Sequence, residues 1–439
     1  MPLHKISSPL EESPSVIAER SPGTELPSVV LESVVNCAAA PFVLPSYART
    51  DDQEYIGFYR PDRWLAVGSR QVGTGPWQVT QLETRLGWDS HNYVDLAVDP
   101  RGGLHVAANM HSSEMCYFRS EVAGDARTLV RVPAMVDRAR EMRVTYPRFF
   151  TRGDGELAFT FREGGSGRGD QWLYALDSGS GRWREHPRGP VIVGEGVRSA
   201  YLDSDRPHVG PDGRHHVVWV WRDSPDASST HTVCYASSSD LLEWQNGDGR
   251  PLALPLRYSS DVVVADIPPG SGLINNNVRL GFDASGDPLI AAHLHDEAGR
   301  QQVVIFRRDD GVWSGSQITA WNVAWAFGGG GSIDFEIEMG TPFVDEDDVV
   351  LDVRHRGDVV RLRITDWESC EASRAPTPAA GILVGADEGA LRRHWLRGDP
   401  PGAGRWLTWT SAPPARDREV DVDATHGYLS IATPTDGAQ

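Results

Sequence analysis

The stretch LAVDPRGGLHVAANM at residues 96–110 decides how this chain is read. Apolar and polar residues alternate up to Asp99, a Pro-Arg-Gly-Gly turn follows, and a second alternating run begins at Leu104. Alternation with a period of two is the signature of a strand with one face buried, and an Asp/Gly turn between two such runs is a hairpin signal. The same scheme returns in FTRGDGELAFTF (150–161), VGPDGRHHVVWVW (209–221), GFDASGDPLIAAHL (281–294) and FVDEDDVVLDVRH (343–355). In several cases a wider loop and a third strand closing on tryptophan follow. The intervals are close to the period of a four-stranded propeller blade with some enlarged loops.

Composition points the same way. The 439 residues include 45 Gly and 30 Pro, which interrupt helices, and the 15 Trp recur near strand ends. An all-β chain is expected: a β-propeller of seven four-stranded blades, with six and eight as the neighbouring counts. A closed ring of sheets leaves few exposed edges, and here closure would pair the strand near SVVLESVVN (28–36) with a late strand such as GYLSIA (427–432). Residues 1–27, rich in Ser, Pro and Glu, read as a flexible leader, and 28–439 as a single propeller domain. At Ser238–Trp244 the run SSDLLEW resembles the Asp-box turn of neuraminidase-like repeats, a turn held by an Asp side chain under a Trp lid.

Charge limits the partners. The formal net charge is −19, which argues against nucleic acid or an anionic membrane as a partner. All but one of the 42 basic residues are arginine, Lys5 being the exception. An anionic substrate would therefore need a local positive island. Cys37, Cys116, Cys234 and Cys370 show neither CxxC spacing nor a disulfide framework and read as isolated buried thiols. No run reaches the roughly 20 apolar residues of a membrane span, and the recorded start has acidic residues and prolines where an export signal needs a basic, then apolar, stretch. A cytoplasmic monomer is expected, or a secreted one if the true start differs.

Polar groups unsuited to a strand core concentrate between His91 and His208. His91-Asn92 precedes one strand, and Asn109 and His111 follow the next; Tyr146, Arg162, Tyr201 and His208 come later. Matching ends of successive blades converge on one face of a propeller, so these positions would meet in one funnel. Two imidazoles, a phenol and an arginine suit proton abstraction beside a carboxylate. The arginine clamps the carboxylate and offsets developing charge, while histidine or tyrosine removes the α-proton and another group protonates the leaving oxygen. This is the β-elimination that cleaves uronic-acid polysaccharides.

The segments HNYVDLAVDPRGGLHVAANMHSSEMCYFRS (91–120), TYPRFF (145–150), ELAFTFREGGSGRGD (156–170), DRPHVGPDGRHHVVWVWR (205–222) and GRPLALPLRY (249–258) resemble the BNR-4 repeat proteins, whose characterised members include seven-bladed ulvan lyases. The likeness spans roughly residues 50 to 320; the 20-residue gap from His91 to His111 and the 16-residue gap from Tyr146 to Arg162 suit that lyase pattern. The resemblance implies His91 and Tyr146 as acid/base groups, Arg162 as the carboxylate neutraliser, His111 as a residue holding the acidic sugar and Tyr201 as a cleft wall. Asn92, Asn109 and His208 are further substrate-binding candidates. The substrate would be an acidic polysaccharide.

Competing readings keep the pocket but change its task. A small carboxylate or polyketide-like substrate could undergo elimination, isomerisation or cyclisation inside the cell. A glycoside hydrolase is less well supported, because FYRPD (58–62) is not the FRIP motif of sialidases. A non-catalytic glycan-binding propeller would use the same Trp and Arg side chains. No cofactor is required by any of these. A structural divalent ion, zinc or calcium, is a minor expectation, with His215, His216, His231 and Cys234 crowded on one blade and His231-x-x-Cys234 as a ligand pair. The run Asp345–Asp348 reads as a solvated turn.

Overall fold

The computed structural model describes residues 3–13, 29–40, 43–355, 358–365, 367, 370–374, 386–388, 391–397, 406–419 and 427–434. Its strands form seven sheets, the blades of a β-propeller. Among the described residues helix is limited to three single turns of 3-10 type, Ala126–Thr128, Asp203–Asp205 and Ala227–Ser229. Among the described residues no helix is long and apolar enough to cross a membrane.

Each recurring Asp-turn segment proves to be the hairpin between the first two strands of a blade. In blade two Val94–Val98 pairs antiparallel with Leu104–Ala108. In blade three Val144–Thr151 pairs with Leu157–Gly165. His208–Val209 and His215–Arg222 do the same in blade four, Arg279–Phe282 and Pro288–His295 in blade five, and Phe343–Asp345 and Asp348–His355 in blade six. The turn aspartate accounts for the backbone there: Asp99 Oδ1 accepts from the Arg101 and Gly103 amides, each at 2.8 Å, as Asp283 Oδ1 does from Ser285 at 2.8 Å and Asp287 at 2.9 Å. Two blades add the same buried brace. His105 links Asp99 at 3.1 Å to the Tyr117 hydroxyl at 2.6 Å, and His216 links Asp212 at 2.9 Å to the Tyr235 hydroxyl at 2.6 Å.

The ring closes through Val29–Cys37, which pairs antiparallel with Gly427–Pro434 along the whole strand. The pairing expected from SVVLESVVN and GYLSIA is therefore present. Adjacent blades bury large apolar clusters against one another. Trp219, Trp221 and Trp244 of blade four pack with Phe150, Ala158 and Leu173 of blade three; Leu407, Trp409, Leu429 and Ile431 of the last blade pack on Ile56, Phe58 and Ala66 of the first. Each such side chain, fully buried, contributes on the order of 2 kcal/mol.

Two expectations need correction. His4–Leu10, assigned to a flexible leader, forms a strand parallel to Val312–Thr319. The reason is apolar: Ile6 is buried with Trp321 and Val323 at the junction of blades five and six. Residues 14–28 of that leader lie outside the described residues. The His231/Cys234 metal pair does not form either. A bulge at Thr232 sets both residues opposite the Trp219/Trp221 side of the neighbouring strand, but each is engaged elsewhere: Cys234 packs among the tryptophans and His231 bonds Asp223 at 3.0 Å. The four cysteines are free and buried. The SSDLLEW turn has the expected form: Asp240 Oδ1 accepts from the Leu242 amide at 2.8 Å and the Glu243 amide at 2.9 Å, with Trp244 buried over it.

Candidate active site

The start of a blade's first strand and the end of its second lie on the same face of the ring. That geometry brings His91, His111, Tyr146, Arg162 and Tyr201 together. His91 sits in the loop entering blade two, and His111 opens a short strand, His111–Ser113, that pairs with the start of Val144–Thr151. Tyr146 lies in that strand where the register shifts between Thr145 and Arg148. Arg162 lies near the end of Leu157–Gly165, and Tyr201 in Ser199–Leu202 of blade four.

The two imidazoles stack, with ring centroids 4.0 Å apart. Both present Nδ1 to a single carboxylate, Asp89: His91 at 2.5 Å, and His111 to the other oxygen. A carboxylate only accepts, so each Nδ1 carries the hydrogen and each Nε2 is left with its lone pair or a transferable proton. Burial raises the Asp89 pKa, but the bonds from His111 and His91 outweigh it and hold the carboxylate well below its usual range. Asp89 itself is fixed by a turn in which Oδ1 accepts the His91 amide at 2.8 Å.

Tyr146 stands between the histidines and the arginine. Its ring centroid is 5.6 Å from that of His91 and 5.8 Å from that of Tyr201. Its backbone φ is +59°, in the left-handed region that a bulky side chain rarely adopts. Asn109, Ser112, Ser204 and Asp205 on this face also have positive φ. Each such residue costs on the order of 1–3 kcal/mol, and clusters of them mark functional sites. Burial, reinforced by Tyr201, pushes the Tyr146 phenol well above its usual pKa.

Arg162 is the most unusual residue here. It is 1% exposed, and none of its three guanidinium nitrogens has a hydrogen-bond partner among the described residues. The guanidinium carbon lies 4.9 Å from the Tyr146 ring centroid and 5.2 Å from that of Tyr201, two cation–π contacts from neighbouring rings. Burial opposes its charge, but Tyr201 and Tyr146 offset this and raise its pKa. Its stem runs across Gly169, where a Cβ would stand 2.8 Å from the Arg162 Cδ. The adjacent Glu163 carboxylate accepts from Arg143 at 3.1 Å. Above it the Gly-rich loop is latched by Ser166 Oγ, 2.5 Å from the Tyr201 hydroxyl.

The remaining candidates lie as follows. Asn92 is buried, and its carbonyl accepts from the Tyr59 hydroxyl at 2.8 Å. Asn109 Nδ2 donates to Thr84 at 2.7 Å. His208 Nε2 lies 3.4 Å from Asp203, which also binds Arg279 at 3.2 Å. Sequence reasoning passed over Asp89, although its place two residues before His91 is an Asx-turn spacing. It also passed over a half-buried charged group: Arg148 lies 4.0 Å over the Tyr93 ring, 3.4 Å from Asp95 and 3.8 Å from Asp205. Burial pushes both carboxyls up, against the pull of Arg148.

A seven-sheet propeller with a polar, strained cluster on one face thus defines the class. The chain belongs to the BNR repeat-containing family, whose family model matches residues 53–321. Among solved structures it is similar to the polysaccharide lyase Uly1, at 13% identity over 99% of this chain and 98% of that one, with a TM-score of 0.57. It is also similar to a PL25 ulvan lyase, at 14% identity over 87% of this chain and 93% of that one, with a TM-score of 0.62. A PL25 ulvan lyase bound to -[GlcA(1-4)Rha3S]- aligns at 14% identity over the same shares, with a TM-score of 0.60. At these identities the likeness is one of fold. No curated protein matches the chain.

Proposed function

We propose that this protein is a polysaccharide lyase that cleaves a uronic-acid-containing, ulvan-like glycan by β-elimination. One observation carries the reading: a fully buried guanidinium whose nitrogens make no hydrogen bond among the described residues, set beside a phenol and a carboxylate-oriented pair of imidazoles. A buried unpaired charge is expensive, and a substrate carboxylate is the group that relieves it. With Arg162 neutralising the uronate, the C5 proton becomes acidic. His91, oriented through Nδ1 by Asp89, takes that proton on Nε2. The electron pair forms the C4–C5 double bond as the C4–O bond breaks. Tyr146, kept protonated by burial, gives its proton to the departing oxygen, and its phenolate is then offset by Arg162, whose guanidinium carbon lies 4.9 Å from the ring centroid. His111 and Tyr201 flank the acidic sugar. Entry of the carboxylate requires the Ser166–Tyr201 latch to part.

That enclosure favours one alternative, a small carboxylate in place of a polymer, with the same proton-transfer groups. Ultraviolet absorbance of the conjugated 4,5-unsaturated uronate, followed across a panel of uronic-acid polymers that includes ulvan, separates the two. A rise that vanishes in Arg162→Ala supports the polysaccharide lyase. A flat trace with folded protein moves the assignment to the small-carboxylate enzyme or a binding propeller.

A further inference from the structure

A fourth group joins the histidine pair from far along the chain. Donor atoms of Asp89, His91, His111 and Asp417 all lie within 4.8 Å of one another. Asp417 belongs to a segment leaving the strand Trp406–Ser411 and is brought across the face of the ring by specific anchors. Arg416 Nη1 donates to the Gly328 carbonyl at 2.7 Å and the Gly330 carbonyl at 3.0 Å. The Ser332 hydroxyl and amide donate to Asp417 Oδ1 at 2.6 and 3.2 Å, which leaves Oδ2 for another partner. The Gly-rich turn at 328–331 is needed for this docking: Gly331 has φ +77°, and a Cβ there would stand 3.0 Å from the Arg416 backbone. Arg416 and Asp417 both take positive φ, 54° and 61°, to make the turn. Such strain is kept where the surroundings impose it.

We infer that Asp89, His91, His111 and Asp417 form a binding site for a zinc-class divalent cation. Two imidazole nitrogens and two carboxylate oxygens are borderline donors that suit zinc or cobalt, whereas calcium and magnesium take oxygen alone. Ligands about 2.0–2.2 Å from a tetrahedral metal stand roughly 3.3–3.6 Å apart, so a metal displaces the two Nδ1 hydrogens, opens the 2.5 Å contact of His91 with Asp89 by about an ångström and draws in the wider pairs, all within 4.8 Å. Charge agrees as well. Asp89 is ion-paired only with the two histidines, and Asp417 is bonded to the neutral Ser332, so among the described residues no arginine or lysine balances the two carboxylates. A dication does. The Ser332 bonds are the outer-shell support that orients a ligating carboxylate.

A bound cation engages His91 and so removes it from proton transfer. That consequence rests on the lyase reading; binding itself does not. The test uses the full chain, stripped with a chelator and dialysed, then titrated with zinc against a chromophoric competitor and with cobalt by visible spectroscopy. The expected result is one equivalent of metal and the d–d bands of four-coordinate cobalt. Affinity should fall about tenfold or more in both Asp417→Asn and His111→Ala and stay unchanged in His231→Ala. Absence of zinc uptake by the wild type overturns the site. So does uptake that Asp417→Asn leaves intact, or that His231→Ala abolishes. If the metal binds as expected but stoichiometric zinc does not slow elimination, the assignment of His91 to proton transfer fails while the metal site stands.

Discussion

Replacing Arg162 with methionine should make the protein more stable and inactive. In the ligand-free structure the guanidinium is desolvated, and its nitrogens have no hydrogen-bond partner among the described residues. Desolvating such an ion costs several kcal/mol, of which two cation–π contacts return on the order of 2 kcal/mol each. Methionine fills much of the same volume without a charge, and exchanges of buried ions for apolar residues stabilise by about 1–4 kcal/mol. The net expectation is a gain of about 1–2 kcal/mol, seen as a rise of a few degrees in Tm and a higher urea midpoint with an unchanged m-value. Turnover should fall by a factor of about 1000 or more, because charge developing on the substrate carboxylate loses its preorganised partner. Opposite signs for stability and activity are what a functional site predicts. A variant that unfolds several degrees lower, or that keeps wild-type turnover, would refute this reasoning and make Arg162 a structural residue.

Tyr146→Phe should abolish turnover while leaving substrate affinity near wild type, as calorimetric titration with an unreactive oligosaccharide would report. Asp89→Asn should lower kcat by roughly 100- to 10,000-fold with little change in KM, because the imidazole loses the carboxylate that fixes its tautomer. The same variant has a pH signature. The folded-state pKa of Asp89 is depressed, so its contribution to stability is fully present above the unfolded value of about 3.9 and is lost as pH falls through the lower folded value. The gap in urea midpoint between wild type and Asp89→Asn should therefore be widest near neutrality and shrink below pH of about 4; a gap independent of pH contradicts the ion-pair geometry. Gly169→Ala should push the Arg162 stem off its track and lower turnover about tenfold or more with a modest loss of Tm, and equal rates for the two proteins would show that the close approach is unimportant.

The propeller was legible because its determinants are local. A turn aspartate such as Asp99 or Asp283, with its Gly and alternating flanks, specifies a hairpin within about fifteen residues, and repetition along the chain supplies the ring. Even closure could be read, since Val29–Cys37 and Gly427–Pro434 both carry strand patterns that need a partner. The convergence of the candidate residues was legible where polar residues interrupt those patterns, as at His91, His111, Tyr146 and Arg162. It was not legible where the interaction is long-range. Asp417 meets the histidines only because Arg416 and Ser332 dock two distant loops, and nothing near Asp417 announces this. His4–Leu10 was misread because Ser and Pro suggest disorder, while the burial of Ile6 against a remote blade decides the outcome. His231 and Cys234 share a ligand-like spacing, but Cys234 is drawn into the tryptophan cluster and His231 into a bond with Asp223, neither of which the spacing shows.

The central claim is elimination, and the products formed in heavy-oxygen water test it most directly. Digestion of a uronic-acid polymer by the wild-type protein should yield oligosaccharides with an unsaturated non-reducing end and, by mass spectrometry, no label beyond the slow exchange of reducing ends. Saturated products that carry the label would identify a hydrolase and contradict the roles of Arg162, Tyr146 and His91 in elimination.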